Sequence, residues 1–214
     1  MIIIKIHNIY GLKEAIWGMR NPKDSNHRID SEDADNILGG YKLGAKDLEL
    51  AKNLASGGPV HAKYRRFIEV YLDITAPFYW WKEFDTYKVG TVANSCSTMH
   101  TIHKQEITLD DFSHEHLQPY WLEDLKDTID KINNARELYL SATSKEEKET
   151  YWWQMIQTLP SSYNQRRTIK LNYEVLVGIY KHRRNHKLQE WRDFCDWIEG
   201  LPYSELITQQ NTTE

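Results

Sequence analysis

An amide and a guanidinium group lie eleven residues apart late in the chain, at Asn172 and Arg183. The residues between them favour a helix, in which eleven residues make about three turns and place both side chains on roughly one face. An amide and a guanidinium on one face suit a planar heterocycle or a phosphate. The alternative is an ordinary helix N-cap at Asn172 and a solvated Arg183, since asparagine caps are common.

A short polar segment, residues 90–100, is a second candidate site. Its hydrogen-bonding side chains follow a glycine, and Lys88 just before them can supply positive charge. The free backbone N–H groups of such a loop can wrap a phosphate. An ordinary surface turn is the alternative. The short polar side chains of the segment are Asn94, Ser95, Ser97 and Thr98.

A metal site is a third possibility, because His182, His186 and Glu190 recur every four residues and would share a helical face. The familiar H-E-x-x-H order is absent, and two neighbouring arginines disfavour a cation. We therefore expect no metal ion here. The basic run at residues 181–184 is typical of a charged helix end. Cys96 lies between two serines and could act as a nucleophile, but an inert thiol is the more common situation.

Hydrophobic periodicity, caps and turn residues predict the elements that position these side chains. Residues 67–76 alternate between two sets of side chains, which indicates a strand with one buried face. Ser144 and Glu147 have the spacing of a capping box. The sequence predicts strands at residues 2–6, 67–76 and 166–170, helices at residues 12–20, 46–56, 77–87, 117–141, 144–158, 172–182 and 187–198, and loops at residues 22–40 and 89–100.

Length and composition favour one globular domain spanning residues 1–214, because 40% of the 214 residues are hydrophobic and 12% are aromatic. The predicted strands and helices make its class α+β. The net charge of −4 gives no basic field, so we expect no nucleic-acid partner, and local arginines and lysines must hold any anionic ligand. The two cysteines, Cys96 and Cys195, make no disulfide framework and favour a reducing cytoplasm. No apolar run approaches the length of a membrane span, and the first residues lack the features of a signal peptide.

The late segment resembles that of the flavin-dependent thymidylate synthases. Leu159-Pro160, Asn172, Leu176 and Arg183 fall at the intervals of the family pattern, and Gln189-Glu190 follows approximately. Upstream, the strand that ends in Ala76-Pro77 is similar to the family strand before its signature helix. The resemblance covers most of the chain. It implies an antiparallel sheet with flanking helices, in one domain of the thymidylate synthase complementing type, and a homotetramer with sites built across subunits.

The resemblance also implies a reaction. In that family, reduced FAD drives the transfer of a one-carbon unit from methylenetetrahydrofolate to C5 of dUMP, with NADPH as reductant and without a protein nucleophile. It implies that Asn172, Tyr87 and Lys88 hold the flavin and that Arg183 is the catalytic residue. The residues implied to bind the pyrimidine nucleotide are Arg183, Asn94, Ser95, Ser97, His100 and Arg167.

The family signature R-H-R-x(7)-S, whose last serine is the first residue of S-x-R-Y, is altered in this chain. Residues 86–88 stand where R-H-R is expected, and Met99 replaces an arginine that binds the nucleotide. The arginine expected before Leu159 is absent, although Arg166 or Arg167 could substitute for it. Each lost arginine–phosphate contact costs on the order of tenfold to a thousandfold in affinity. Two hypotheses follow: an enzyme of this type acting on dUMP or an analogue, or a catalytically altered nucleotide-binding or interaction protein on the same scaffold.

Overall fold

The computed structural model describes residues 1–209, which form six strands, nine α-helices and four short 3₁₀ turns. The strands within these residues are β1 (Ile3–Tyr10), β2 (Glu32–Asp33), β3 (Tyr41–Lys42), β4 (Glu69–Pro77), β5 (Val92–Ser95) and β6 (Asn164–Asn172). The helices are α1 (Leu12–Arg20), α2 (Ala45–Ser56), α3 (Phe78–Phe84), α4 (Thr98–Thr101), α5 (Pro119–Ser141), α6 (Lys145–Thr158), α7 (Tyr173–Arg183), α8 (Gln189–Glu199) and α9 (Glu205–Thr208).

The main sheet has the strand order β1-β4-β6-β5, and β2 pairs with β3 in a separate antiparallel ribbon. Two hydrogen bonds show that β4 and β6 run in opposite directions. The Thr168 hydroxyl donates to Asp73 Oδ1 over 2.6 Å, and the Tyr173 N–H donates to the Ile68 carbonyl over 3.0 Å. Residue numbers therefore rise along one strand as they fall along the other. The predicted α+β class with an antiparallel sheet is confirmed.

The alternation predicted for residues 67–76 is confirmed, because Ile68, Val70, Leu72 and Ile74 are all buried. Both predicted boundaries of α3 differ from the structure, and β1 continues to Tyr10 rather than ending at residue 6. Pro77 ends β4 instead of beginning a helix, and α3 stops at Phe84 rather than at residue 87. A proline at the end of a strand needs no N–H partner, so either position is compatible with its chemistry.

The predicted loop at residues 89–100 contains β5 and the single turn α4. All four residues of β5 are exposed, and the strand occupies one edge of the sheet. An exposed edge strand has no buried face, so its sequence lacks the alternation by which a strand is recognised. The predicted loop at residues 22–40 similarly contains the two-residue strand β2.

The chain divides into two compact units, each with its own apolar cluster. Unit 1 comprises residues 1–3, 75–84 and 95–167, and unit 2 comprises residues 4–74, 85–94 and the described residues from 168 onward. In unit 1, α5 packs against α6 around Ile129, Ile132 and Met155. In unit 2, α7 packs against α8 and α9, and the buried side chains include Leu176 and Phe194. The single-domain assignment stays a prediction.

A buried ion pair fixes the end of α1 to the start of α2 in unit 2. Arg20 Nε donates to Asp47 Oδ1 over 2.6 Å, and both side chains are more than nine-tenths buried. The second carboxylate oxygen of Asp47 accepts from the N–H groups of Asp30 and Ser31, each over 3.0 Å, and from the Ser31 hydroxyl. Hydrogen bonds to both oxygens offset the cost of removing this charge from water.

Asp30 supplies the cap that α2 lacks in its own sequence. The N-cap position is Gly44, which has no side chain to accept from the first N–H groups of the helix. The Asp30 carboxylate accepts instead from the N–H groups of Lys46 (2.9 Å) and Asp47 (3.0 Å). These hydrogen bonds, that from Lys46 foremost, hold the pKa of Asp30 below its ordinary value of 3.8.

Within residues 1–209, no helix is both long enough and apolar enough to cross a membrane.

The substitution Arg20→Leu should lower the free energy of unfolding by about 3–5 kcal/mol, because it leaves the Asp47 carboxylate buried without its partner. Urea denaturation of the purified protein measures the change. Lys13→Leu is the matched control, because Lys13 forms an ion pair of 2.7 Å with Asp33 in which both side chains are more than half exposed. The control should leave the urea midpoint nearly unchanged, and equal losses in the two variants would contradict the role given to the buried pair.

Acid should remove the contribution of the Asp30 cap. Because its folded pKa is lower than its unfolded pKa, the stabilisation is fully present above about pH 4 and is lost as the pH falls through the folded pKa. Asp30→Asn keeps one acceptor oxygen and loses the charge. Thermal melts should show the variant to be less stable than the unsubstituted chain at pH 7, with a smaller difference at pH 3. A difference that is constant with pH would exclude the charged cap.

Candidate functional site

The side chains of Tyr87, Arg183 and Trp191 form an aromatic–arginine cluster in unit 2. Arg183 Nε donates to the Tyr87 hydroxyl over 3.0 Å. The guanidinium carbon lies 4.6 Å from the centre of the Trp191 ring and 5.7 Å from that of Tyr87. The two rings are 6.0 Å apart at 66°. Cation–π attraction to a fully buried indole therefore fixes the plane and position of the Arg183 charge.

Asn172 is the N-cap of α7, and its Oδ1 accepts from the Val175 N–H over 3.1 Å. Arg183 is the last residue of the same helix. The eleven-residue spacing does place both on one side of the helix, but a rise of 1.5 Å per residue separates them by roughly 16 Å along its axis. The spacing predicts which side of the helix the two side chains share but leaves them far apart along its axis. Asn172 and Arg183 therefore cannot both contact one small ring.

The residues that follow α3 run along α7 between these two ends. Tyr87 meets Arg183 at the C-terminal end, and Gly90 lies against Asn172 and Val175 at the N-terminal end. Gly90 has φ of +81°, and a Cβ atom there would lie 3.0 Å from Val175 Cγ2 and 3.2 Å from Asn172 Nδ2. Only glycine meets both requirements without strain. Lys88, between these contacts, is exposed.

Unit 1 contains a pocket of about 350 Å³ where β5, α4, the end of α6 and the start of β6 meet, which we name the neutral pocket. It opens beside Ser97, the N-cap residue of α4. Its polar side chains are hydroxyls and one amide, and its other side chains are apolar. The lining residues are Phe78, Ser95, Ser97, Thr98, Met99, Ile156, Leu159 and Gln165.

Gln165 is the most constrained polar residue of the neutral pocket. Its side-chain Nε2 donates to the Cys96 carbonyl over 3.0 Å and to the Thr98 hydroxyl over 3.3 Å. Its Oε1 accepts from Arg167 Nε over 2.9 Å. The Arg167 guanidinium lies over the Trp81 ring, 4.3 Å from its centre. Arg167 therefore orients the Gln165 amide without itself lining the neutral pocket.

The residues predicted for the site fall in both units. Ser95 and Ser97 line the neutral pocket. Arg167 does not line it but donates a hydrogen bond to Gln165, which does. His100 is exposed. Unit 2 holds the other predicted residues, of which Tyr87 and Arg183 touch each other. These are Tyr87, Lys88, Asn94, Asn172 and Arg183.

Gln165 was missed because β6 begins two residues before the predicted strand. With the strand extended, strict alternation places Gln165 on the same face as the buried Ile169 and Leu171. That pattern was available in the sequence and would have indicated an inward-facing amide.

A larger pocket of about 880 Å³ lies in unit 2 between the end of α1, α2 and the 3₁₀ turn that precedes β4; we name it the basic pocket. Within the described part of the chain, six of its lining residues are basic and none is an aspartate or glutamate. Its cations come from two segments far apart in sequence, so no local motif shows them. The basic residues are Arg20, Lys23, His27, Arg28, His61 and Lys63.

Burial has a marked effect on two groups in unit 2. It raises the pKa of Tyr64, which lines the basic pocket, to about 12, and the hydroxyl donates to the Ala51 carbonyl over 2.8 Å. It also raises the pKa of Cys195 to about 11, which keeps the thiol protonated and unreactive. Among residues 1–209, no group of three or more histidine, cysteine, aspartate or glutamate side chains is placed to hold a metal ion.

The fold is similar to that of solved flavin enzymes. A crystal structure of thymidylate synthase X from Helicobacter pylori with FAD and dUMP is 17% identical, covers 97% of both chains and has a TM-score of 0.66. A second structure of that enzyme with FAD and dUMP is 18% identical, covers 96% of both chains and has a TM-score of 0.65.

A third structure has a different reaction in its name. The UMP/dUMP methylase PolB from Streptomyces cacaoi, bound with 5-Br dUMP, is 12% identical over 97% of this chain and 95% of the other, with a TM-score of 0.61. No protein-family model and no curated protein sequence matches the chain. At these identities the likeness shows that the chain has the thymidylate synthase X fold.

Gly90→Ala should lower the free energy of unfolding by about 1–3 kcal/mol, because alanine is strained at positive φ and its Cβ presses on Val175 and Asn172. Gly58→Ala is the matched control, since Gly58 has φ of +92° with nothing within 4 Å of an added Cβ. Both variants carry the backbone strain and only Gly90→Ala adds the contact. Urea denaturation should therefore show the larger loss for Gly90→Ala, and equal losses would exclude tight packing of this segment on α7.

Proposed function

We propose that this chain binds FAD and a pyrimidine, dUMP or an analogue of it, and transfers a one-carbon unit to C5 of the pyrimidine. One observation carries the proposal: the fold matches, over nearly the whole of both chains, a thymidylate synthase crystallised with FAD and dUMP and a methylase crystallised with 5-Br dUMP. Two enzymes with different names thus hold a pyrimidine nucleotide on this scaffold.

The basic pocket fits a cofactor that bears phosphates. Its volume of about 880 Å³ is in the upper part of the range of roughly 300–1,000 Å³ found for small-molecule sites. Lys23, Arg28 and Lys63 would neutralise a diphosphate, and Phe67 and Leu54 would cover a flat ring. When bound, reduced FAD would supply the two electrons that convert the transferred methylene group into a methyl group.

The flavin residues that the family resemblance implies, Asn172, Tyr87 and Lys88, do not line the basic pocket. Their flavin role stays a prediction. The catalytic role that the resemblance implies for Arg183 also stays a prediction, and Tyr87 and Trp191 hold its positive charge in a fixed position. Such a charge needs no reorganisation when negative charge develops on a reacting ring, which is the usual way in which a protein assists this type of chemistry.

The neutral pocket suits the pyrimidine ring. Phe78 and Leu159 provide apolar surface for its faces, and the hydroxyls of Ser95 and Ser97 can donate to or accept from its edge. Because Gln165 is already hydrogen-bonded at both ends of its amide, it would shape the pocket wall. The ring would therefore be oriented by hydroxyl and backbone groups.

The remaining parts of the proposal are NADPH as reductant, methylenetetrahydrofolate as one-carbon donor, assembly as a homotetramer and a cytoplasmic location. Large apolar side chains exposed on α5 and α6 support assembly, above all the adjacent Tyr120 and Trp121, whose ring centres are 5.6 Å apart. These side chains are Tyr120, Trp121, Leu138, Leu140 and Trp153.

The test combines a spectrum with a reaction. Protein mixed with FAD and passed through a desalting column should retain oxidised-flavin absorption (about 375 and 450 nm), since the cofactor carries the chemistry. With NADPH and methylenetetrahydrofolate it should then release tritium from a C5-tritiated pyrimidine, dUMP or deoxyuridine. Lys63→Glu should reduce FAD retention at least tenfold, whereas Lys5→Glu, an exposed lysine outside the basic pocket, should retain FAD like the unsubstituted protein. A colourless protein that releases no tritium would refute the enzymatic proposal.

A second function is favoured by a specific observation: Met99 lines the neutral pocket where the family signature has an arginine. A catalytically altered pyrimidine-binding protein would bind its ligand without retaining FAD. Calorimetric binding of a pyrimidine by protein that retains no flavin and releases no tritium would establish this second function.

A further inference from the structure

The lining of the neutral pocket carries no full charge. Four of its residues are apolar, three are hydroxyl-bearing and one is an amide. The basic pocket of unit 2, by contrast, is lined by six basic side chains and no acidic one. The two pockets therefore differ in the ligand charge that they can accept.

Arg167 does not line the neutral pocket but is hydrogen-bonded to Gln165, which does. Arg167 Nε donates to Gln165 Oε1 over 2.9 Å, and the guanidinium lies 4.3 Å from the centre of the Trp81 ring. The indole N–H of Trp81 in turn donates to the backbone carbonyl of Gln165 over 2.8 Å. These contacts hold Arg167 in a defined orientation, and turning it towards a ligand would leave Gln165 Oε1 without this donor.

A phosphate in the neutral pocket would meet hydroxyls and apolar side chains. Where it contacts this lining it would give up bound water, and no lining residue among residues 1–209 is a cation that could compensate. Removing a charge from water without a partner is unfavourable. An uncharged heterocycle has no such cost. The volume of about 350 Å³ lies near the lower limit of small-molecule sites, which suits a single ring with or without a sugar.

We infer that the neutral pocket takes an uncharged pyrimidine, a free base or a nucleoside, and discriminates against the phosphorylated form. The identity of the ring rests on the proposed function, and the charge preference rests on the lining. Met99 is the position at which this preference can be reversed, because its side chain is half exposed and so can be replaced by a longer one.

Isothermal titration of the 214-residue chain with deoxyuridine and with dUMP tests the inference. The unsubstituted protein should bind deoxyuridine at least tenfold more tightly than dUMP. Met99→Arg places a cation in the lining and should shift the dUMP-to-deoxyuridine preference at least tenfold towards dUMP. Gln105→Arg adds the same charge to unit 1 at an exposed residue outside the pocket, and should leave the preference unchanged.

A larger side chain that fills the neutral pocket tests whether deoxyuridine binds there. Ile156→Trp should abolish deoxyuridine binding while the far-UV circular dichroism spectrum and a cooperative thermal melt persist. Should that variant not fold, the Met99→Arg and Gln105→Arg comparison decides the question without it.

The outcomes separate the two proposals. Tighter binding of dUMP than of deoxyuridine by the unsubstituted protein, or a preference that Met99→Arg does not move, overturns the charge inference and leaves the proposed function intact. Binding of neither compound overturns both. Tighter binding of deoxyuridine than of dUMP by protein that retains no FAD supports the charge inference and refutes the flavin reaction.

Discussion

The buried ion pair between Arg20 and Asp47 is the constraint on which much of unit 2 depends. It fixes the end of α1 to the start of α2 and, through the second oxygen of Asp47, also fixes residues 30–31. Arg20 also lines the basic pocket, so the shape of that pocket follows from the ion pair. Because one arginine charge is neutralised inside the structure, the pocket attracts anions through its other basic groups, whose side chains are not held in this way.

Charge is distributed differently in the two units. Unit 2 provides a basic pocket and an arginine held between aromatic rings, whereas unit 1 provides a pocket of hydroxyls, one amide and apolar side chains. This division is consistent with one chain that binds an anionic cofactor and a less charged substrate at separate places. It also explains how a chain with an altered signature could keep the scaffold, because the fold depends on apolar cores and buried pairs rather than on arginines that contact ligands.

Local patterns in the sequence predicted local features well. The alternation in β4 is observed, as is the capping box in which Ser144 Oγ accepts from the Glu147 N–H over 3.1 Å. The edge strand β5 could not be predicted because its exposed side chains leave no pattern. The roles of the predicted site residues stay predictions, and the structure shows only where those residues lie. Ser95 and Ser97 line a pocket, but the basic pocket depends on segments about forty residues apart, and only the folded chain brings such segments together.

The Asp30 cap has a consequence for how the chain folds. The residue that completes the first turn of α2 lies about fifteen positions before it, so α2 cannot gain its cap from its own sequence. Bringing residue 30 to the first turn of α2 closes a loop, and the entropy lost in closing it must precede the hydrogen bonds that offset the loss. The first turn of α2 and residues 30–31 should therefore order together late, as one cooperative unit, although most helices of this length begin from local signals alone.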